Sequence, residues 1–320
     1  MTAETEIENR MSGTSTQKKT VGLIGIGLLG SAIASRLIRA GFTIWGHDQS
    51  AQAMSEFSTL GGQPIVKLGD VPVAANAVVL CLPDSDVVEK VVVEIIPRLN
   101  PGSILIDTTT GDPKRTRAIA ERLAEADVSL IDASVLASSV MTREGNALLM
   151  VGATSSALRR ARHVLEAISR RIHHVGSVGS GQEMKLVANL VLGLNRAVLA
   201  EGLHFASTFE LDQEVVLDVL KSGAAYSRVM DMKGRKMLDE NFVPQARLSQ
   251  HLKDVRLILN HAAKAETVLP LSNIHRDLLE QVERAGNGDL DNSAVIKAWQ
   301  SKEVALKPER SGVDPFAADQ

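Results

Sequence analysis

VGLIGIGLLGS, residues 21–31, reads as a strand, a glycine-rich turn and the start of a helix. The run Val21–Ile24 has the length and apolar character of a buried strand. Gly25, Gly27 and Gly30 then complete G-x-G-x-x-G, and a helical pattern follows from Ser31. Each glycine has its own task in such a turn. Gly25 permits the tight bend, Gly27 lets the backbone approach a pyrophosphate, and Gly30 lets the helix pack closely on the strand. The free N–H groups and positive dipole end of the helix then face the phosphates. Ile26, Leu28 and Leu29 lie between the glycines and join them as candidate cofactor contacts. Asp48, which ends the second strand in IWGHDQS, follows Gly30 by 18 residues, where a carboxylate accepts from the adenosine ribose. A carboxylate there repels a 2′-phosphate, and Gln49 follows it rather than an arginine. The expected cofactor is therefore a nicotinamide dinucleotide, with NAD preferred over NADP.

Outward from this turn, short β-rich runs alternate with helical patterns as far as about Gly176. Candidate strands are Val21–Ile24, Thr43–Trp45, Ala77–Leu82, Ile104–Thr108, Leu130–Ala133, Leu148–Val151 and Ile172–Val175. The alternation predicts parallel βαβ units with right-handed crossovers. After Gly181 the character changes. Glu183 to about Glu210 is one long, mostly apolar stretch without proline, and only helical patterns follow it. The expected fold is an α/β Rossmann-type domain over residues 20–178, then an all-α domain over residues 179–306, joined through a long interdomain helix. Polar residues 1–19 and 307–320 read as disordered tails. A helix apolar on most sides must be covered by a domain or a partner chain, so a homodimer or homotetramer is expected.

Hydrophobic residues make up 44% of the 320 and charged residues 23%, a normal globular balance. Lys and Arg number 35 against 38 Asp and Glu, without the basic stripe of a nucleic-acid binder. No stretch reads as a membrane span, and the polar start has no apolar signal-peptide core. The single cysteine, Cys81, excludes an intramolecular disulfide and a cysteine-rich metal site, and fits the cytoplasm. Cys81 and Met150 read as packed strand residues. His173 and His174 have no neighbouring carboxylate–histidine spacing that would suggest a metal, and none is expected.

Further segments make the chain resemble the β-hydroxyacid dehydrogenase family, which includes 3-hydroxyisobutyrate dehydrogenase and tartronate semialdehyde reductase. They are CLPDSDVV (81–88), IDTTTGDP (106–113), DASVLASS (132–139), GSGQEMKLVAN (179–189), HLKDVRL (251–257) and GDLDNSAVIK (288–297). The resemblance implies an NAD(P)-dependent oxidoreductase acting on a small β-hydroxy acid or semialdehyde. It implies cofactor contacts at Leu82, Pro83, Thr110 and Lys253. It assigns Lys185 as the general acid/base and Asn189 as the residue that orients it. Their i,i+4 spacing puts both on one helix face. Oxidising an alcohol sends a proton to a base, and a lysine serves at neutral pH only if burial or a nearby cation lowers its pKa. Asp254 beside Lys253 reads as an ordinary helix charge.

The chain departs from its relatives where they read DAPVSGG. Here Leu136 stands for the serine, and Ala137 and Ser138 stand for the glycines. In relatives that loop holds the substrate carboxylate, and leucine offers no donor. Ser138 and Ser139 are candidate replacement hydroxyls. Ala188 replaces the first asparagine of the usual pair. An imine reductase-like enzyme is an alternative that Lys185 disfavours. A non-catalytic dinucleotide-binding scaffold is another, which Leu136 favours and the pair Lys185 and Asn189 disfavours.

Overall fold

The computed structural model describes residues 19–300. The expected polar tails at 1–19 and 307–320 therefore lie outside the described residues, Lys19 excepted. The described chain divides into two compact units. One runs to Val191 and includes Lys253–Val268; the other comprises Leu192–Leu252 and the described residues from Leu269.

The first unit is built on an eight-stranded sheet of order β3-β2-β1-β4-β5-β6-β7-β8. Its strands are β1 (Thr20–Ile24), β2 (Thr43–His47), β3 (Gln63–Pro64), β4 (Ala77–Leu80), β5 (Ile104–Asp107), β6 (Ser129–Leu136), β7 (Leu148–Gly152) and β8 (Arg171–Gly176). Helices α1 (Leu28–Arg39), α2 (Ala51–Thr59), α3 (Val71–Ala74), α4 (Ser85–Ile95), α5 (Pro113–Ala124), α6 (Ser139–Arg143) and α7 (Ser155–Ile168) connect them. Both faces are covered. Val79, Ile106 and Ile131 join a core with Ile33, Leu37, Phe57 and Leu165. Their strand neighbours Val78, Leu80, Leu105 and Leu130 join a second core with Val92, Ile95 and Leu123. This alternation explains why the strands read as continuous apolar runs. Each fully buried Leu, Ile or Phe contributes about 1.5–3 kcal/mol.

Strand order reverses between β1 and β4, which opens a crevice at the carboxyl ends of these two strands, the usual ligand position in such sheets. Two features depart from the sequence reading. β3 is only two residues long, exposed, and ends on a proline. β7 pairs with β6 antiparallel, from Asp132↔Gly152 to Leu136↔Leu148. The link between them contains only the five-residue α6, whereas a parallel crossover needs about a dozen residues or more.

The rest is helical: α8 (Ser180–Ser207), α9 (Gln213–Ser222), α10 (Arg235–Leu238), α11 (Leu248–Lys264), α12 (Pro270–Val282) and α13 (Lys297–Gln300). The Rossmann-type sheet and the mostly helical second part, joined through long α8, are as expected. α8 is long and apolar enough to cross a membrane, with mean hydropathy 1.4 over its best window, although the sequence reading found no such stretch. Lys185, Asn189 and Arg196 recur along it, Asn189 and Arg196 are buried, and it reads as a core helix.

The interior of the second unit is polar in part. Lys233 Nζ donates to Asp291 Oδ1 at 2.8 Å and Oδ2 at 3.0 Å, and both side chains are almost fully buried. Asp291 also accepts from the backbone of Gln245 and Ala246 and from Ser293. Burial pushes its carboxyl up, but Lys233 and these donors hold it below the usual range. Burial lowers Arg196 to about 10. Burial, then Arg196, lowers His275 to about 4, so that ring is neutral near pH 7.

Candidate active site

The glycine turn has the shape a pyrophosphate needs. Gly25 has φ +92°, and a Cβ there would lie 2.2 Å from the Cys81 carbonyl oxygen. A Cβ on Gly30 would lie 2.1 Å from the Gly25 oxygen, so α1 packs this closely only without one. A Cβ on Gly27 would meet nothing within 4 Å. Gly27 caps α1 without a side-chain hydrogen bond, so the helix end stays open to an anion. Ile26 is buried and Leu29 packs on the core, while Leu28 is exposed.

Asp48 is tied down. Its Oδ2 accepts from the Ile26 N–H at 2.6 Å and its Oδ1 from the Ser50 N–H at 2.8 Å. The carboxylate thus braces the glycine turn against the start of α2, where Ser50 caps the helix by accepting from Ala53 N.

Leu82, Pro83, Thr110 and Lys253 come together at the ends of β4 and β5. Lys253 Nζ donates to the carbonyls of Pro83 at 3.1 Å and Thr110 at 2.8 Å. The Leu82 N–H donates to Thr109 Oγ1 at 3.0 Å. Lys253 also pairs with Asp254 at 2.9 Å.

The start of α8 is locked to the sheet by residues that sequence reasoning missed. Asp132, buried on β6, accepts from the N–H groups of Gly179 at 3.0 Å and Gln182 at 2.9 Å. Burial pushes its carboxyl up to about 7 against these two bonds. Fully buried Gln182 donates to the Thr109 carbonyl at 2.7 Å and accepts from the Gly111 N–H at 3.0 Å. Lys185 follows by less than one turn. It is partly exposed as a residue, but its ammonium is enclosed and donates to the Val135 carbonyl at 2.6 Å. Burial lowers its pKa to about 8; Asp254 opposes the shift and Lys253 assists it.

Asn189 does not bond Lys185. Its Nδ2 donates to Asp254 Oδ2 at 2.8 Å. Asp254 is therefore no ordinary helix charge, because it is buried and links Asn189 to Lys253. Burial raises its pKa, opposed first by Lys253 and Lys185. Lys185, Asn189, Lys253 and Asp254 form one charged cluster, with Leu136 one residue beyond the carbonyl that Lys185 touches. In the divergent loop, Ala137 packs on the core. Ser138 is occupied as the cap of α6, its Oγ accepting from Met141 N at 3.3 Å.

Comparison with known proteins places this arrangement. Residues 20–176 match the NAD binding domain of 6-phosphogluconate dehydrogenase, and residues 179–299 match the NAD-binding domain of NADP-dependent 3-hydroxyisobutyrate dehydrogenase. The chain belongs to the β-hydroxyacid dehydrogenase family. It is thus an NAD(P)-dependent oxidoreductase. Among family relatives, 2-(hydroxymethyl)glutarate dehydrogenase of Eubacterium barkeri is 28% identical over 88% of this chain and 94% of its own length. A crystal structure of 3-hydroxyisobutyrate dehydrogenase from Salmonella typhimurium superposes with TM-score 0.81 at 24% identity, covering 87% of this chain and 99% of that one. A structure described as Psf3 in complex with NADP+ and 2-OPP superposes with TM-score 0.79 at 21% identity, covering 87% and 99%.

These findings correct the expected preference for NAD. The profile matched by the second part is that of an NADP-dependent enzyme, and the Psf3 structure holds NADP+. Asp48 is not a free charge facing the ribose. Its two oxygens instead accept backbone N–H groups, so part of its charge is spent on bracing the turn.

Proposed function

We propose that this protein interconverts a small β-hydroxy acid and the matching semialdehyde with NADP(H), and that Lys185 is its general acid/base. A bound nicotinamide supplies or accepts the hydride. The glycine turn holds the pyrophosphate, and Leu82, Pro83 and Thr110, bridged by Lys253, border the cofactor. Lys185 takes the alcohol proton in oxidation and returns it to the developing alkoxide in reduction. Asp254 and Asn189 hold the cluster in register. The observation that carries this reading is the position of the Lys185 ammonium, held on the Val135 carbonyl at 2.6 Å where burial lowers its pKa and makes proton release easier. The other buried lysine, Lys233, has both carboxylate oxygens of Asp291 as partners within the second unit.

A base must be neutral and an acid must be protonated, which fixes the pH dependence. We expect alcohol oxidation to rise as pH passes upward through about 8 and carbonyl reduction to fall through the same range. Initial rates in both directions between pH 6 and 10 check this. Equal, flat profiles would remove Lys185 as the titrating group.

The substrate end is set by Leu136, which gives a carboxylate no donor. A lost hydrogen bond to a charged group costs about 1.5–3 kcal/mol, roughly ten- to hundredfold in binding. We therefore expect weak turnover of 3-hydroxyisobutyrate and better turnover of a larger or less polar acid. The hydroxymethylglutarate of the E. barkeri relative is a larger β-hydroxy acid of this kind. The triple change Leu136→Ser, Ala137→Gly, Ser138→Gly should raise kcat/KM for 3-hydroxyisobutyrate about tenfold. Losing the Ser138 cap to glycine costs only a few tenths of a kcal/mol. Efficient wild-type turnover of that acid, lowered by the triple change, would show that Leu136 does not set specificity.

We also assign a homodimer or homotetramer. In the second unit Phe205, Phe209, Leu211, Val215 and Val219 are each between 53% and 64% exposed. Phe205 and Phe209 stack edge to face at 4.8 Å. Such a patch is of the kind that oligomers cover. Light scattering at micromolar concentration should report at least a dimer; a clean monomer would contradict it. A single cysteine fits a cytoplasmic protein.

A further inference from the structure

How a chain with Asp48 and Gln49 would hold the extra phosphate of NADP is answered on the neighbouring strand. β2 and β3 run parallel, with Trp45 beside Gln63 and Gly46 beside Pro64. The pairing continues past β3. The Ile65 N–H donates to the Gly46 carbonyl at 2.8 Å, and His47 Nδ1 lies 3.0 Å from the Ile65 carbonyl oxygen. Past this bond both segments leave the sheet and bend, Asp48–Gln49 after β2 and Val66–Lys67 after β3. Gln49 and Lys67 line one groove of about 500 Å³.

Arg98, Asp70 and Glu94 also line this groove. Arg98 is taken by Asp70 at 2.9 Å. The Lys67 carbonyl accepts from the Asp70 N–H at 3.0 Å, but its ammonium is exposed and, among the described residues, makes no hydrogen bond or ion pair. It is the lysine or arginine of this groove left available, while the oxygens of Asp48, next to Gln49 in the chain, are engaged by Ile26 and Ser50.

We infer that Lys67, with the Gln49 amide beside it, receives the adenosine 2′-phosphate of NADP(H). The extra phosphate is then held from the loop after β3 rather than by an arginine at the end of β2. Lysine suits this as a mobile point charge that meets a phosphate without a fixed fork geometry. The inference rests on the cofactor reading above, and the test separates the two.

Two probes differing only in the phosphate, 2′,5′-ADP and 5′-AMP, are titrated calorimetrically into the full-length protein and into Lys67→Ala and Lys67→Arg. Lys67 is exposed, so its replacement should leave the fold intact. The wild type should bind 2′,5′-ADP more tightly than 5′-AMP. Lys67→Ala should weaken 2′,5′-ADP about tenfold or more and leave 5′-AMP unchanged, and Lys67→Arg should retain most of the preference. Equal affinity of the wild type for both probes, or an equal effect of Lys67→Ala on both, overturns the assignment while the cofactor site stands. Binding of neither probe overturns the cofactor reading and this assignment with it.

Discussion

Lys185→Met should lower kcat by about 10²–10⁴-fold, the usual contribution of a general acid–base group, while NADPH still binds. Methionine keeps the apolar stem of the side chain and lacks only the terminal ammonium, so the charge is removed with little loss of packing. The glycine turn, Asp48 and the Lys253 bridge are untouched, and fluorescence titration with NADPH should give an affinity close to wild type. A variant that turns over at the wild-type rate would remove Lys185 from the chemistry. One that loses NADPH binding along with turnover would make it a cofactor ligand instead. The companion change Asp254→Asn should raise neither plateau rate. It removes the charge that favours the ammonium, so the pH at which oxidation switches on should move down.

The second large effect is on stability. Asp291→Ala leaves the Lys233 ammonium buried without its counter-ion and repelled by the Arg196 charge. Breaking a buried pair from one side costs about 3–5 kcal/mol, and here the Gln245, Ala246 and Ser293 donors lose their acceptor as well. We expect the urea midpoint of the far-ultraviolet dichroism to fall accordingly. Replacing both partners, Lys233→Met with Asp291→Ala, should recover part of the loss, because no charge is then stranded. A midpoint unchanged in Asp291→Ala would mean that the pair contributes nothing net.

How far the sequence carried depended on the range of the interactions. The glycine turn was legible because three glycines, a strand and an acidic residue follow one another within 28 residues, Val21 to Asp48. Lys253 with Leu82, Pro83 and Thr110 was reachable only through resemblance, since they lie more than 140 residues apart along the chain. Asp132 and Gln182 escaped altogether. Each looks like an ordinary polar residue, and their role appears only when β6 meets the start of α8 across 50 residues. Asp254 was misjudged because its burial is invisible from its neighbour Lys253. β3 was missed because two exposed residues carry no apolar alternation. The cofactor preference failed for a similar reason: residue type showed the charge of Asp48, and only the structure shows what that charge already holds.

The antiparallel turn from β6 to β7 bears on how this enzyme diverged. Leu136 makes the last pair of the five-pair ladder that clamps the two sides of this hairpin, and Ala137 and Ser138 open the link beyond it. A hairpin tip is a terminus in all but connectivity: its residues can be exchanged, lengthened or shortened without rethreading the sheet. On the function proposed above, drift at this one link would retune which acid is recognised while Lys185 on α8 and the glycine turn after β1 stay fixed. Grafting tips from relatives onto this scaffold is then a direct route to new specificities, with little of the folding risk that a change inside a βαβ crossover would carry.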